Sequence, residues 1–410
     1  MELQRLQYLN LSGNNFRKSI LPGFFGSLRN LRYLDLSNCY FGGQIHIQFE
    51  SLLHLKYLSL SWNRLYGVIP HRLGDLSNLK FLALSNNDLE GSIPSQLGNL
   101  SNLQFLDLNN NHLEGSIPSQ LGKLTNLQVL YLGSAYYESA NLTIDNKDHS
   151  GGQWLSNLTS LTHLHMWSIS NLNKSNSWLQ MVGKLPKLRE LSLRICDLSD
   201  HFIHSVSQSN FNFSTSLSIL DLSENNFMSP LIFKWVSNIS FNLVELDLSF
   251  NFLEAPPSSD YAIVMKSLER LDLSGNRLKG EVCKSFMNIC TLRSLNLNGN
   301  NFTKDLQTIL HNLSSGCVRN SLQVLDLSWN GITGTLPDLS AFTSLKTFDL
   351  SSNKLSGMIP EGSSLPFLLE QLSIASNSQE GLIPKSFWMN ACKLKSLDLS
   401  NNSFSGELQV

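Results

Sequence analysis

The sequence predicts an α/β-class solenoid of about sixteen stacked repeats, and three observations carry that expectation. A frame L-x-x-L-x-L-x-x-N recurs from Leu6 to Leu394, mostly at intervals of 24 or 25 residues. The segment "LEGSIPSQLGNL" at 89–100 returns at 113–124 as "LEGSIPSQLGKL", with one substitution. Within each frame the residues alternate apolar and variable, as in a strand with one buried face. A fixed period of a few tens of residues marks a chain whose units cannot bury their own leucines and form one core by stacking.

Length alone suggests two or three domains for 410 residues, but stacked repeats only need to touch their neighbours. The whole of 1–410 is therefore read as a single solenoid without terminal caps, and as an internal piece of a longer chain. Charged residues are 15% and the net charge is −2, which leaves no basic footprint for nucleic acid. No apolar run reaches the roughly 18 residues of a membrane span. The opening "MELQRLQYLN" lacks the apolar core of a signal peptide.

In "LKFLALSNN" Leu82 and Leu84 are expected to point inward, and Phe81, Ala83 and Ser85 outward. Successive strands then pair as a parallel sheet on the concave face. The closing Asn has donors and an acceptor for buried turn backbone in its own and the adjacent repeat. Cys39 and Cys196 stand in for it twice, while Ala135 and Ile169 cannot. In "LEGSIP" Gly91 and Gly115 permit positive φ, and Pro94 and Pro118 stop regular helix. The convex side is expected to be short 3-10 or extended segments.

Outward positions of successive strands form columns. One reads Tyr8, Tyr33, Tyr57, Phe81, Phe105. Such a row either stacks laterally and stabilises the sheet or presents a contact surface for a peptide or protein. The next column carries Asp35, Asp107, Asp221, Asp247, Asp272, Asp326, Asp349 and Asp398, read as structural groups hydrogen-bonded between turns. No nucleophile elbow, zinc-protease, phosphate-loop or dinucleotide motif occurs, so no enzyme activity, catalytic residue or cofactor is expected. His163 and His165 in "HLHMW" share an outward face but lack further ligands at fitting spacing, so no metal site is expected.

One region departs from the period. Between the sixth and seventh frames the spacing is 34 residues, with a loop excursion at 136–157. Both flanking turn positions, Ala135 and Ile169, have lost their Asn, and the outward residues are Tyr131, His163, His165 and Trp167. The coincidence is read either as drift in a tolerant loop or as a ligand-binding surface, to which the aromatic column would contribute.

The glycosylation candidates are Asn99, Asn141, Asn157, Asn173, Asn212, Asn238, Asn301 and Asn312. An Asn- and Ser-rich chain produces most such triplets by chance, so they are weak evidence of secretion.

The extended frame, complete or nearly so in "LSLSWNRLYGVIP", "LALSNNDLEGSIP" and "LDLSWNGITGTLP", resembles the plant-specific class of leucine-rich repeats. The segments "NLVELDLSFN", "NICTLRSLNLNGNNF" and "SGCVRNSLQVLDLSWN" are similar to ectodomains of plant receptor-like proteins, which include fungal-xylanase receptors and the Cf and Vf disease-resistance proteins. The resemblance implies an α/β-class leucine-rich-repeat solenoid. It also implies a secreted, glycosylated ectodomain at the extracellular face of the plasma membrane, lacking a kinase and signalling through an adaptor or co-receptor kinase. The expected role is non-enzymatic recognition of a peptide, elicitor or protein ligand. A soluble inhibitor of a microbial wall-degrading enzyme, or a truncated non-functional product, stays open beside it. Similar receptors carry cysteine pairs one turn apart, which implies a Cys290–Cys317 disulfide. By the same spacing Cys392 would need a partner beyond Val410.

Overall fold

The computed structural model describes residues 3–134, 142–144, 152–174, 177–207, 216–239, 242–255, 265–279, 282–389 and 392–407. They fall into two units, Met1–Leu217 and Ser218–Val410. In the first, strands at Tyr8–Asn10, Tyr33–Asp35, Tyr57–Ser59, Phe81–Ala83, Phe105–Asp107, Val129–Gly133, His163–Trp167 and Glu190–Ser192 pair in parallel. In the second, strands at Ile219–Asp221, Glu245–Asp247, Arg270–Asp272, Ser294–Asn296, Val324–Asp326, Thr347–Asp349, Gln371–Ser373 and Ser396–Asp398 do the same. Each of the sixteen frames has its strand, and the chain is a leucine-rich-repeat solenoid.

Register follows the frame. Leu58, Leu82 and Leu106 are direct partners, and each is fully buried with the leucines two residues on, Leu60, Leu84 and Leu108. A one-residue slip would turn every leucine to solvent, so the register is strongly specified.

The turn asparagines form the expected ladder. Asn87 accepts from the Leu65 N–H at 3.0 Å and donates to the carbonyls of Leu60, Leu84 and Ser85. Its partners therefore lie in its own repeat and the one before. Cys39 Sγ donates to Leu11 O at 2.9 Å and Cys196 Sγ to Met166 O at 3.0 Å. Each thiol offers one S–H donor where the amide has two N–H groups.

The convex side of the early repeats is made of five-residue 3-10 turns, such as Ser95–Asn99 after Pro94 and Ser119–Lys123 after Pro118. From 177 onward α-helices enter, including Asp200–Ser207, Leu231–Ile239 and Leu306–Ser314. These repeats lack the G-x-I-P stop, and the frames around the three helices are 29, 26 and 30 residues apart. The extra chain permits up to two and a half turns, and Pro230, directly before Leu231–Ile239, stands where a helix tolerates it.

A second line of parallel pairing runs along the side of the early repeats, through Gly42–Gly43, Arg64–Val68, Asp88–Gly91 and His112–Leu113. Within the predicted excursion at 136–157, Leu142–Ile144 is itself a strand, paired with Gly115–Ile117. Gln153–Asn157 is a 3-10 turn in the position of those in other repeats. The rest of the excursion lies outside the described residues.

Candidate ligand-binding face

Two strands differ from their neighbours. Val129–Gly133 and His163–Trp167 are five residues long, while the other frame strands have three. Their pairing runs on to Leu132–Met166 and Gly133–Trp167. The lengthening coincides with Ala135 and Ile169 at the turn positions, which offer neither the amide of the other repeats nor the thiol donor of Cys39 and Cys196. Gly133 makes the extension sterically allowable. It has φ +91°, and a Cβ there would meet Trp167 O at 1.7 Å. Two residues after the lost turn position, Asn171 recovers part of the bonding, donating to Ile144 O at 2.7 Å and accepting from Ile144 N–H at 2.9 Å.

The lengthened strands bring Tyr131, His163, His165 and Trp167 into one cluster. The Tyr131 ring stacks on His165 at 4.1 Å, and His165 lies 5.4 Å from Trp167. Both imidazoles turn to Glu190, with His165 Nε2 2.7 Å from Oε1 and His163 Nε2 3.6 Å from Oε2. His163 Nδ1 is 2.8 Å from Thr162 Oγ1, and Trp167 Nε1 donates to Ser192 Oγ at 2.7 Å. The hydrogen bond with His165 holds the Glu190 carboxyl below its usual range. Burial, and then the charges of Glu190 and Asp107, push the Tyr131 phenol up. Burial also raises Asp107 to about 6, against hydrogen bonds from Ser85 and Asn109 that favour its charge. Beside Asp107 in sequence, the buried Oδ1 of Asn109 accepts no hydrogen bond.

Register reasoning would have found Glu190, because it occupies the same column as His163 one strand on. Sequence reading passed over Glu190, Ser192, Gly133 and Asn171. It also missed Trp62 and Trp329, which are 60% and 69% exposed in the left-handed conformation just before their turn asparagines. Bulky residues are rare there.

The aromatic column is a stack. Tyr8, Tyr33, Tyr57, Phe81 and Phe105 follow one another at 4.2–4.3 Å with interplanar angles of 8–13°. Tyr33, Tyr57 and Phe81 each lie between two rings and turn only edges toward solvent, while Tyr8 at the end of the stack is 59% exposed. The stack ends at Phe105. Tyr131 stands one column over, opposite Asp107, and meets Phe105 edge-on at 5.9 Å and 74°. The ligand-binding candidates therefore form two sets, with Tyr33, Tyr57, Phe81 and Phe105 in a packed ladder and Tyr131, His163, His165 and Trp167 in a polar aromatic cluster.

The aspartate column corrects an expectation. Asp221, Asp272, Asp326 and Asp398 each accept from the hydroxyl and N–H of the Ser two residues on, within the same repeat. A two-residue Asx turn brings the partner closer than the next strand does. Bonds between turns occur beside these, from Asn296 Nδ2 to Asp272 Oδ2 at 2.8 Å and from Ser85 to Asp107.

Asn99 and Asn157 end 3-10 turns and are exposed, as is Asn301. Asn312 is a correction: it is 8% exposed within Leu306–Ser314, where a glycan has no room. The Asn173 amide nitrogen donates to Asp197 Oδ2 at 2.6 Å, so the atom that would carry a sugar is committed. Asn141 and Asn212 lie outside the described residues, as does the Asn238 side chain. Cys290 and Cys317 form a disulfide, with Cα atoms 5.1 Å apart. Among the described residues no three His, Cys, Asp or Glu are grouped to hold a metal ion, and no helix is long and apolar enough to cross a membrane.

Parallel strands one frame apart, a ladder of turn asparagines and an outward face of varied side chains define the leucine-rich-repeat class. The chain belongs to that family: the leucine-rich repeat region family matches residues 14–145 and 72–399. It is 34% identical over 345 residues to receptor-like protein EIX1 of Solanum lycopersicum, covering 84% of this chain and 25% of that protein. The chain thus spans about a quarter of the length of that curated relative. Among solved structures it is similar to the plant peptide hormone receptor RGFR1 in complex with RGF2, with TM-score 0.61, 28% identity and coverage of 99% of this chain and 65% of that one. It is also similar to the LRR protein LIC12759 of Leptospira interrogans, with TM-score 0.67, 26% identity and coverage of 98% and 92%.

Proposed function

We propose that the chain is the non-enzymatic recognition module of a plant cell-surface receptor, and that the sheet face around Tyr131, His163, His165, Trp167 and Glu190 contacts a peptide or protein ligand. One observation carries this reading. Where two adjacent strands lost their turn asparagine, the face gained a hydrogen-bonded aromatic, imidazole and carboxylate cluster in place of small residues. Preorganised aromatics with polar tips are the side chains that dominate protein recognition. The likeness to plant receptor-like proteins and to a peptide hormone receptor supports the same class of ligand. Signalling would then run through an adaptor or co-receptor kinase, from the extracellular face of the plasma membrane. Glycans would sit at Asn99, Asn157 and Asn301, three of the candidates, each of them exposed.

The test is the double variant Tyr131→Ala, Trp167→Ala. Binding of extracellular extract components or candidate elicitors, followed by surface plasmon resonance, is expected to weaken by at least roughly tenfold, since hot-spot aromatics are worth about 2 kcal/mol or more each. Far-ultraviolet circular dichroism is expected to stay unchanged. Undiminished affinity with an intact fold would sink this assignment.

A further inference from the structure

The sheet of the first unit has another column, one residue before the aromatic stack. It reads Arg32, Lys56, Lys80, then Gln104 and Gln128. Their backbones are direct neighbours: the Lys56 N–H donates to Arg32 O and the Lys80 N–H to Lys56 O, both at 2.8 Å. All three cationic residues are exposed. Strands stand about 4.8 Å apart, so three like charges lie along roughly 10 Å. Among the described residues none of the three is ion-paired. Like charges opposite one another on a sheet are destabilising.

The second unit treats the same column in the opposite way. Glu269 meets Arg293 at 3.4 Å, and Glu370 meets Lys395 at 2.6 Å. One column further, Glu245 meets Arg270 at 2.6 Å. The repeat therefore accommodates cross-strand ion pairs readily, and a glutamate at 56 would turn two repulsions into two attractions. Instead the first unit keeps an unneutralised ridge beside the rigid stack of Tyr33, Tyr57 and Phe81.

We infer that Arg32, Lys56 and Lys80 form a docking ridge for an acidic, extended protein or peptide segment. An extended chain advances about 3.3 Å per residue and presents alternate side chains on one face, so carboxylates two residues apart stand about 6.6 Å from each other and a pair of them lies within the length of the ridge. A peptide fits better than an acidic sugar polymer, because the neighbouring rings lie face to face and offer no open face for a pyranose to stack on. The ridge shares no residue with the Tyr131–Trp167 cluster, and it rests on the recognition reading only in that the chain has a protein or peptide partner.

The probe is a labelled peptide of alternating Glu and Ser, with a Gln–Ser peptide of equal length as control, read by fluorescence anisotropy at low and high salt. The Glu peptide is expected to bind, and the Gln peptide is not. Affinity falls with salt as the charges are screened. In the variant Arg32→Gln, Lys56→Gln, Lys80→Gln it drops by roughly tenfold, the sum of three exposed ion pairs. That variant removes a repulsion and is expected to fold, as circular dichroism will show. The Tyr131→Ala, Trp167→Ala variant binds the Glu peptide as the parent does, so failure of the cluster reading and failure of the ridge are separable. Equal binding of the Gln peptide, or unchanged affinity in the ridge variant, overturns the inference. An oligouronate that binds through the ridge more tightly than the Glu peptide overturns the peptide assignment.

Discussion

The Asn87 side chain makes four hydrogen bonds to backbone groups of two repeats while only 3% exposed. Asn87→Ala leaves a buried N–H and several carbonyls short of a partner, and is expected to lower stability by about 1–3 kcal/mol. Asn87→Cys is expected to cost less, because the thiols of Cys39 and Cys196 already donate to the corresponding carbonyls. Chemical denaturation midpoints check the order. Equal loss in both variants would mean that the acceptor matters and the donor does not.

At the scale of the element, a column of carboxylates sets a pH dependence. Asp221, Asp247 and Asp272 are direct partners on three adjacent strands. Burial first, and then the charges of Asp221 and Asp272, raise Asp247 from 3.8 to about 6. A folded-state value above the unfolded one means that the ionised form opposes folding. That cost is present in full above about pH 6 and is removed as pH falls toward the ordinary value near 4. Asp247→Asn keeps an oxygen for the Ser249 N–H, which Asp247 Oδ1 now accepts at 2.8 Å. It is expected to add on the order of 1 kcal/mol at neutral pH and to reduce the gain in stability between pH 7 and 5. Thermal unfolding at the two pH values decides it, and an unchanged slope would show that Asp247 is already protonated or already compensated.

For the molecule as a whole, stability is close to a sum over repeats and their interfaces. The Cys290–Cys317 bond, with a sequence separation of 27, ties one such interface. Loop-closure entropy puts its contribution at about 3.5 kcal/mol. Reduction is expected to speed amide exchange in the helices Val282–Phe286 and Leu306–Ser314 and in the strands Ser294–Asn296 and Val324–Asp326. Exchange unaffected by reductant would mean that packing of Phe286, Ile309 and Leu313 alone holds that interface, since all three are buried.

The period, the inward leucines and the turn asparagines were legible because each constraint is met inside one repeat or between identical neighbours. Leu79, Leu82 and Leu84 had nowhere else to go, and Asn87 had donors and acceptors that only a stacked turn can satisfy. The departure near 135–169 was legible as well, since lost asparagines show in the letters themselves. What those losses produce was not. Longer strands, a second line of pairing along the side and α-helices in the wider repeats follow from how much chain separates two frames. Tyr131 lies one column off the stack, and Glu190 joins two histidines from a neighbouring strand. Such groupings link residues about 25 positions apart through register, and each becomes definite only when neighbouring strands pair. The leucine period therefore determined the solenoid from sequence alone. Which outward side chains meet was decided by the tertiary structure, because lateral neighbours on a sheet are set by pairing and not by adjacency in the chain.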